Sequence, residues 1–277
     1  MRSISDTALW AAVFRGWESR RPDALFRDPY AERLAGDRGV RIARELKFAT
    51  RHTWSWIART HIVDQIIQAQ IAAGADMVIN LAAGLDTRPY RMSLPASLSW
   101  IEIDLPAILD YKMEHLAAEE PACSLERIAL DLSDSGARRV TFAELGRRTN
   151  QALILSEGLM VYFSREQAAA LAEDLARPSS FKSWILDLVS PTLLRLMRKR
   201  MGAHLEAAGA PLQFGPEEGP DFFIPHGWKP ERTQSLLHVA ARVKRLPFWM
   251  RPFALFPDRF PSQGKRPWGG ACLQVRG

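Results

Sequence analysis

Met77-Val78-Ile79-Asn80-Leu81 runs straight into Ala82-Ala83-Gly84-Leu85-Asp86-Thr87-Arg88-Pro89-Tyr90-Arg91. The first five residues are apolar and β-rich, and the small residues after them mark a tight turn at a strand end. Outward from this stretch the pattern repeats. Trp100-Ile101-Glu102-Ile103-Asp104 is a second strand, closed by Leu105-Pro106 and followed by a helical segment over 107–118. Ile128–Leu132, Ala152–Gly158 and Trp184–Leu188 read as third, fourth and fifth strands, with helical patterns at 136–148 and 165–176. Strands alternating with helices at this pace predict a wound, mostly parallel α/β sheet.

Upstream, residues 1–74 read as helical, with Ile57, Ile62, Ile66, Ile67 and Ile71 at helical spacing and Gly74 as the stop. A turn-rich segment with two prolines, Arg21–Tyr30, interrupts them. Downstream, a basic amphipathic stretch (192–208) leads into a Gly/Pro-rich loop, Gly209–Pro220, and 236–247 and 271–276 are read as two final strands.

The chain has 277 residues, 47% hydrophobic and 25% charged, too apolar for disorder and long enough to bury a core unaided. No stretch reaches the roughly 18 apolar residues of a membrane span, and charges interrupt the N-terminus too early for an export signal. Cys123 and Cys272 form no CxxC, so no metal site is expected and reduced thiols in a cytoplasmic protein are. Of the 37 basic residues 30 are arginine, spread along the chain, and the net charge is +6. The densest cluster, Arg195–Arg200, reads as a basic surface helix, with contact to an anionic substrate or RNA as the alternative. Neither nucleic-acid nor membrane partners are expected, and the oligomeric state is left open.

Ligands of open α/β sheets bind beyond the carboxyl ends of the strands. There the chain places Gly84, then Asp104 at 20 residues' distance, then Asp131-Leu132, then Glu157-Gly158. An acid so spaced from a glycine turn suits a ribose diol. Taken singly, Asp104 and Asp131 read equally well as helix N-caps, and Gly84 as a plain turn. A dinucleotide site wants G-x-G-x-x-G, which is missing, and Asp86 in the turn would repel a pyrophosphate. An acid-rich edge instead suits S-adenosylmethionine, with its sulfonium, ammonium and ribose hydroxyls.

The stretch Asn80–Arg91 resembles the glycine-loop signature of the leucine carboxyl methyltransferase family. Glu102–Pro106 with Tyr111-Lys112, then Asp131-Leu132 and Glu157–Phe163, resemble its later motifs. Arg59-Thr60 with Asp64, Pro22–Phe26 with Asp28–Ala31, and Arg266–Gly270 are also similar. One departure stands out: Ala82 occupies the position of the family's first loop glycine. The resemblance implies a class I methyltransferase (Rossmann-like) fold in a single domain. Residues 1–74 would form a helical cap, 75–190 the cofactor-binding core, 191–225 a lid insertion and 226–277 strands completing the sheet.

It further implies that Arg59 pairs with the carboxylate of S-adenosylmethionine and that Gly84 admits its methionine portion. Asp104 would take the ribose hydroxyls, Asp131 and Leu132 would flank adenine, and Glu157 would lie near the ammonium or sulfonium. No general base is evident among the six histidines. His226, after the lid, and Tyr162 are the catalytic candidates. Trp10, Trp17, Phe214, Phe222 and Phe223 are candidates to line an acceptor pocket, and Arg195, Arg198, Lys199 and Arg200 to attract a carboxylate. The expected activity is O-methylation of a small metabolite, at a carboxyl or phenolic hydroxyl and within secondary metabolism. A methyltransferase of protein C-terminal carboxyls and a non-catalytic cofactor-binding protein remain as alternatives.

Overall fold

The computed structural model describes residues 6–45, 47–257, 260 and 264–277. Four helices precede the sheet: α1 (Asp6–Ser19), α2 (Ala31–Glu45), α3 (Lys47–Arg51) and α4 (Thr53–Ala72). Residues 1–5, included in the helical reading of 1–74, lie outside the described residues. The sheet comprises β1 (Met77–Leu81), β2 (Ser99–Asp104), β3 (Ser124–Ala129), β4 (Ala152–Ser156), β5 (Phe181–Val189), β6 (Trp228–Ser235) and β7 (Gly269–Arg276). Between them lie α5 (Arg88–Arg91), α6 (Pro106–His115), α7 (Ser135–Arg147), α8 (Arg165–Ala176), α9 (Pro191–Glu206) and α10 (Leu236–Arg242).

The strand order is β3-β2-β1-β4-β5-β7-β6. The first five strands are parallel, and β7 runs antiparallel to both of its neighbours. The expected wound, mostly parallel α/β sheet is therefore the fold. β1 and β4 are buried at every position because helices cover both faces, which is why they read as unbroken apolar runs. On one face Trp184 and Trp228 anchor the core, their indoles donating to Ser156 Oγ at 2.8 Å and the Ala172 carbonyl at 2.9 Å. On the other face α4 and α10 cover Val78, Leu153 and Ile185.

Two expectations are corrected. The third strand spans 124–129 rather than 128–132; it is the sheet edge, only partly buried, and carries Glu126 and Arg127 in its middle. Its apolar tail, Leu130 to Leu132, is a turn instead, begun by Leu130 N–H donating to the Asp104 carbonyl at 3.0 Å. The segment 236–247 is not a strand: it begins as α10, burying Val239 and Ala240 against α4. The strand is the segment before it, Trp228–Ser235, whose proline and charges are tolerated because β6 is an edge with a bulge near Pro230.

Candidate active site

The strand order reverses direction between β1 and β4, which opens a crevice beyond the carboxyl ends of β1, β2, β4 and β5. The turn after β1 faces the end of β2: Gly84 N–H donates to Asp104 Oδ2 at 2.6 Å, and Leu105 N–H to Oδ1 at 2.7 Å. Asp104 is thus no helix cap; Leu105 holds that position for α6. Burial pushes the Asp104 carboxyl above its ordinary value, against the two N–H donors that favour the anion. Gly84 has φ +50°, and a Cβ there would stand 3.2 Å from Ala8 Cβ in α1, so the helix lies directly over the turn. Arg15 of α1 also donates to the Leu85 carbonyl at 2.5 Å.

Ala82 adopts φ +51°, the left-handed region that a methyl group disfavours. The turn holds this conformation at a non-glycine residue, and so carries strain. Ala82→Gly is therefore expected to raise the free energy of unfolding by about 0.5–1 kcal/mol. Chemical denaturation measures this, and an unchanged or lowered midpoint would refute strain at this position.

Behind the turn lies a network of buried ions. Arg88 donates from Nε to Asp64 at 2.6 Å, from Nη1 to Asp86 at 2.7 Å and from Nη2 to Glu157 Oε2 at 2.8 Å. Arg91 grips Asp64 with both terminal nitrogens at 2.8 Å. Arg59, on α4, reaches Glu157 Oε1 and Asp187 Oδ2, both at 2.9 Å, and lies 4.5 Å from the centre of the Trp56 ring. Asp187 Oδ1 also accepts the Gly158 N–H at 2.5 Å. Burial alone would raise the carboxyls of Glu157, Asp86 and Asp64, but their guanidinium neighbours hold all three below the ordinary range. Three guanidinium groups against four carboxylates leave this network one negative charge in excess.

A cavity of about 1060 Å³ opens from these strand ends. Arg59, Gly84, Asp104, Asp131, Leu132, Glu157 and Tyr162 all line it, so the structure gathers them around one space. Asp131 lies two residues past β3 in an exposed turn, accepting Ser133 N–H at 2.8 Å, while Asp134 caps α7 in its place. Burial pushes the Tyr162 phenol up to about 12, despite its hydrogen bond with Thr7, so at neutral pH it donates and does not act as a base.

His226 is not among the residues lining the cavity; it lies beside Phe222 and bonds Glu173 at 2.9 Å, so the structure does not bring it to the other candidates. Of the five aromatics considered, only Trp10 lines the cavity. Phe214, Phe222 and Phe223 fill the core beneath α8, and Trp17 faces solvent. None of Arg195, Arg198, Lys199 and Arg200 lines it either; they occupy the exposed face of α9.

Sequence reasoning missed Asp187, although the logic of acids at strand ends applied to the fifth strand would have found it. It also missed Phe48, Trp54, Trp56, Trp249 and Phe253, which line the cavity from segments without strand signals.

Residues 8–176 match the model of the leucine carboxyl methyltransferase family. The chain belongs to that family. It is 33% identical over 187 residues to a proposed S-adenosyl-L-methionine-dependent methyltransferase of Mycobacteroides abscessus, covering 62% of this chain and 61% of that one. The match thus spans less than two thirds of that relative's length. A protein of the same description from Frankia alni is 31% identical over 261 residues, 86% of this chain and 88% of the relative. In structure, the family member resembles a DUF574-family protein from Streptomyces avermitilis, with TM-score 0.60 and 13% identity over 96% of this chain and 97% of that one. It also resembles a proposed methyltransferase of Thermobifida fusca, with TM-score 0.59 and 15% identity over 100% and 95%. The fold is that of the class I methyltransferases.

Proposed function

We propose that this family member is an S-adenosylmethionine-dependent O-methyltransferase acting on a carboxyl group of a small, largely apolar metabolite. The observation that carries the reading is the row of carboxylates at the strand ends opening into a large, mostly apolar cavity. The donor set fits the cofactor. Each Asp104 oxygen spends one lone pair on a backbone N–H and keeps another for a ribose hydroxyl. The excess negative charge around Glu157 and Asp187 suits the ammonium and sulfonium. Arg59 retains Nη2 and the second Nη1 hydrogen as donors toward the cofactor carboxylate. Asp131 and Leu132 would border adenine.

When bound, S-adenosylmethionine supplies a methyl group for in-line displacement, and the protein's part is alignment and exclusion of water. The volume lies at the top of the roughly 300–1,000 Å³ usual for ligand clefts, which leaves room for an acceptor beside the cofactor. Helices α1 and α3 and the start of α4 would roof that space, with α9 and the loop after it as its side wall.

A carboxyl acceptor is favoured over a phenol because, among the described lining residues, the two histidines are engaged and Tyr162 is protonated. His238 engages Ser235 Oγ and the Phe256 carbonyl, His52 the Phe48 carbonyl, and Tyr162 stays protonated. A carboxylate is already ionised at pH 7. Calorimetric titration with S-adenosylhomocysteine is expected to give one site of micromolar affinity. Labelled methyl transfer to a panel of aromatic and fatty acids is then expected to yield base-labile esters. Binding without any ester, together with methylation of a phenol panel or a peptide C-terminus, would overturn the choice of acceptor.

A further inference from the structure

The segment 242–266 holds seven basic residues and one acidic residue, Asp258. Removing these from the chain's 37 basic and 31 acidic residues leaves equal numbers, so the whole net charge of +6 resides in this one segment. The same segment carries the largest exposed apolar surface of the described residues. It folds as a 3₁₀ turn, Phe248–Leu255, in which no residue is buried. Phe248 is 80% exposed, Leu255 88%, and Trp249, Phe253 and Phe256 each more than half. Arg242, Lys244, Arg251, Lys265 and Arg266 of the same segment are also exposed, and the Arg266 guanidinium lies 5.1 Å from the centre of the Phe256 ring.

Solvent-exposed aromatics of this size usually mark a surface that something covers. We propose that residues 248–256 dock this protein peripherally onto an anionic lipid bilayer. Four observations select the bilayer as the occupant. The five apolar side chains are each more than half exposed, which suits a fluid apolar layer needing no complementary shape. The group combines Trp, Phe and Leu with Arg and Lys, the composition of segments that lie at the headgroup level. The exposed charges Arg251, Lys265 and Arg266 are positive, complementary to anionic headgroups. That charge also opposes a second copy of the chain, because a two-fold contact through this patch would set like charges face to face.

Docking needs no spanning segment, so it is compatible with the lack of any described helix long and apolar enough to cross a membrane. It departs from the expectation of no membrane partner, which rested on that lack alone. Trp249, Phe253 and Phe256 also line the cavity while remaining more than half exposed, so they stand at its opening. A docked molecule therefore presents that opening to the lipid.

Flotation with vesicles tests this without reference to methyl transfer. The wild-type chain is expected to bind vesicles of equal phosphatidylcholine and phosphatidylglycerol at least roughly tenfold more tightly than vesicles of phosphatidylcholine alone. High salt should weaken the difference. Phe248→Ser with Leu255→Ser, and separately Arg251→Glu, should each lose roughly tenfold in affinity for the mixed vesicles. None of these three residues lines the cavity, so both variants should keep wild-type affinity for S-adenosylhomocysteine, which also certifies their folding. Wild type that stays in the lipid-free fraction overturns the proposal. So does a concentration-dependent dimer that the Phe248/Leu255 variant abolishes, since the patch would then be a self-association surface.

Discussion

Asp104→Ala is expected to weaken binding of S-adenosylhomocysteine by at least roughly a hundredfold, the loss of two charge-assisted hydrogen bonds of about 1.5–3 kcal/mol each. The carboxylate has a second task, since it also anchors the Gly84 and Leu105 N–H groups and so fixes the turn against the end of β2. A thermal melt beside the titration separates the two tasks. Asp104→Asn retains one acceptor oxygen and about the same volume, so it should melt nearer to wild type while still losing much of the affinity. If Asp104→Ala binds as wild type does, the ribose lies elsewhere and the proposed cofactor pose is wrong.

The second large effect concerns stability. Arg88 is almost fully buried and serves Asp64, Asp86 and Glu157 at once. Arg88→Met would keep the volume and remove the charge. Arg91 would still hold Asp64 and Arg59 would still hold Glu157, but Asp86 would keep only the Asn80 amide among its side-chain partners. Breaking a buried pair in this way costs about 3–5 kcal/mol, which urea denaturation at pH 7 would read directly.

The pH dependence carries a definite sign. Asp64, Asp86 and Glu157 are held below their ordinary values in the folded chain, so on acidification the unfolded chain takes up protons first. Their contribution is complete above about pH 5 and is lost as pH falls below about 4, through the lowered values. The gap between wild type and Arg88→Met should accordingly narrow in acid. A gap that stays constant down to the acid transition would mean that Arg88 acts by packing and not by charge. Asp104 works in the opposite direction. Its raised value means that the folded chain holds the proton longer, so its contribution declines as pH rises through the carboxylate range.

The parts of the molecule that the sequence displays are those where one physical demand dominates. Met77–Leu81 and Ala152–Ser156 must be apolar along their whole length because both sheet faces are covered, and they are legible for that reason. Gly84 and Asp104 are legible as a pair because the parallel crossover fixes their spacing and the hydrogen bond between them closes it. The edge strand β6 is hidden, since a strand paired on one side only can carry Lys229, Pro230, Glu231 and Arg232. Helix α10 imitates a strand because so short a helix holds too few apolar positions to display a helical period. Arg59 is recognisable in the sequence, but its partner Asp187 comes from 128 residues away and only folding brings them together. The aromatic lining escapes for a similar reason, as Trp54 and Trp249 reach one space from opposite ends of the chain.

The return of β7 into the sheet between β5 and β6 bears on how the molecule assembles. β6 pairs with β7 alone, so it has no place in the sheet until residues 269–276 have crossed over from beyond it. Until then β5 is a bare edge nine residues long, and its apolar groups Trp184, Leu186 and Leu188 lie beside unpaired backbone. Contacts of such long sequence separation form late, and an uncovered edge of this kind is the surface through which nascent chains associate. Ser190 helps to secure the returning segment once it arrives: its N–H donates to the Trp268 carbonyl at 2.8 Å, and its hydroxyl to the Arg266 carbonyl at 2.8 Å. Gly270 lets the strand pass, because a Cβ there would fall 2.2 Å from the Trp268 ring. The Pro267-Trp268 segment thus latches the last strand into place, and the pairing of β7 closes the edge that β5 would otherwise expose.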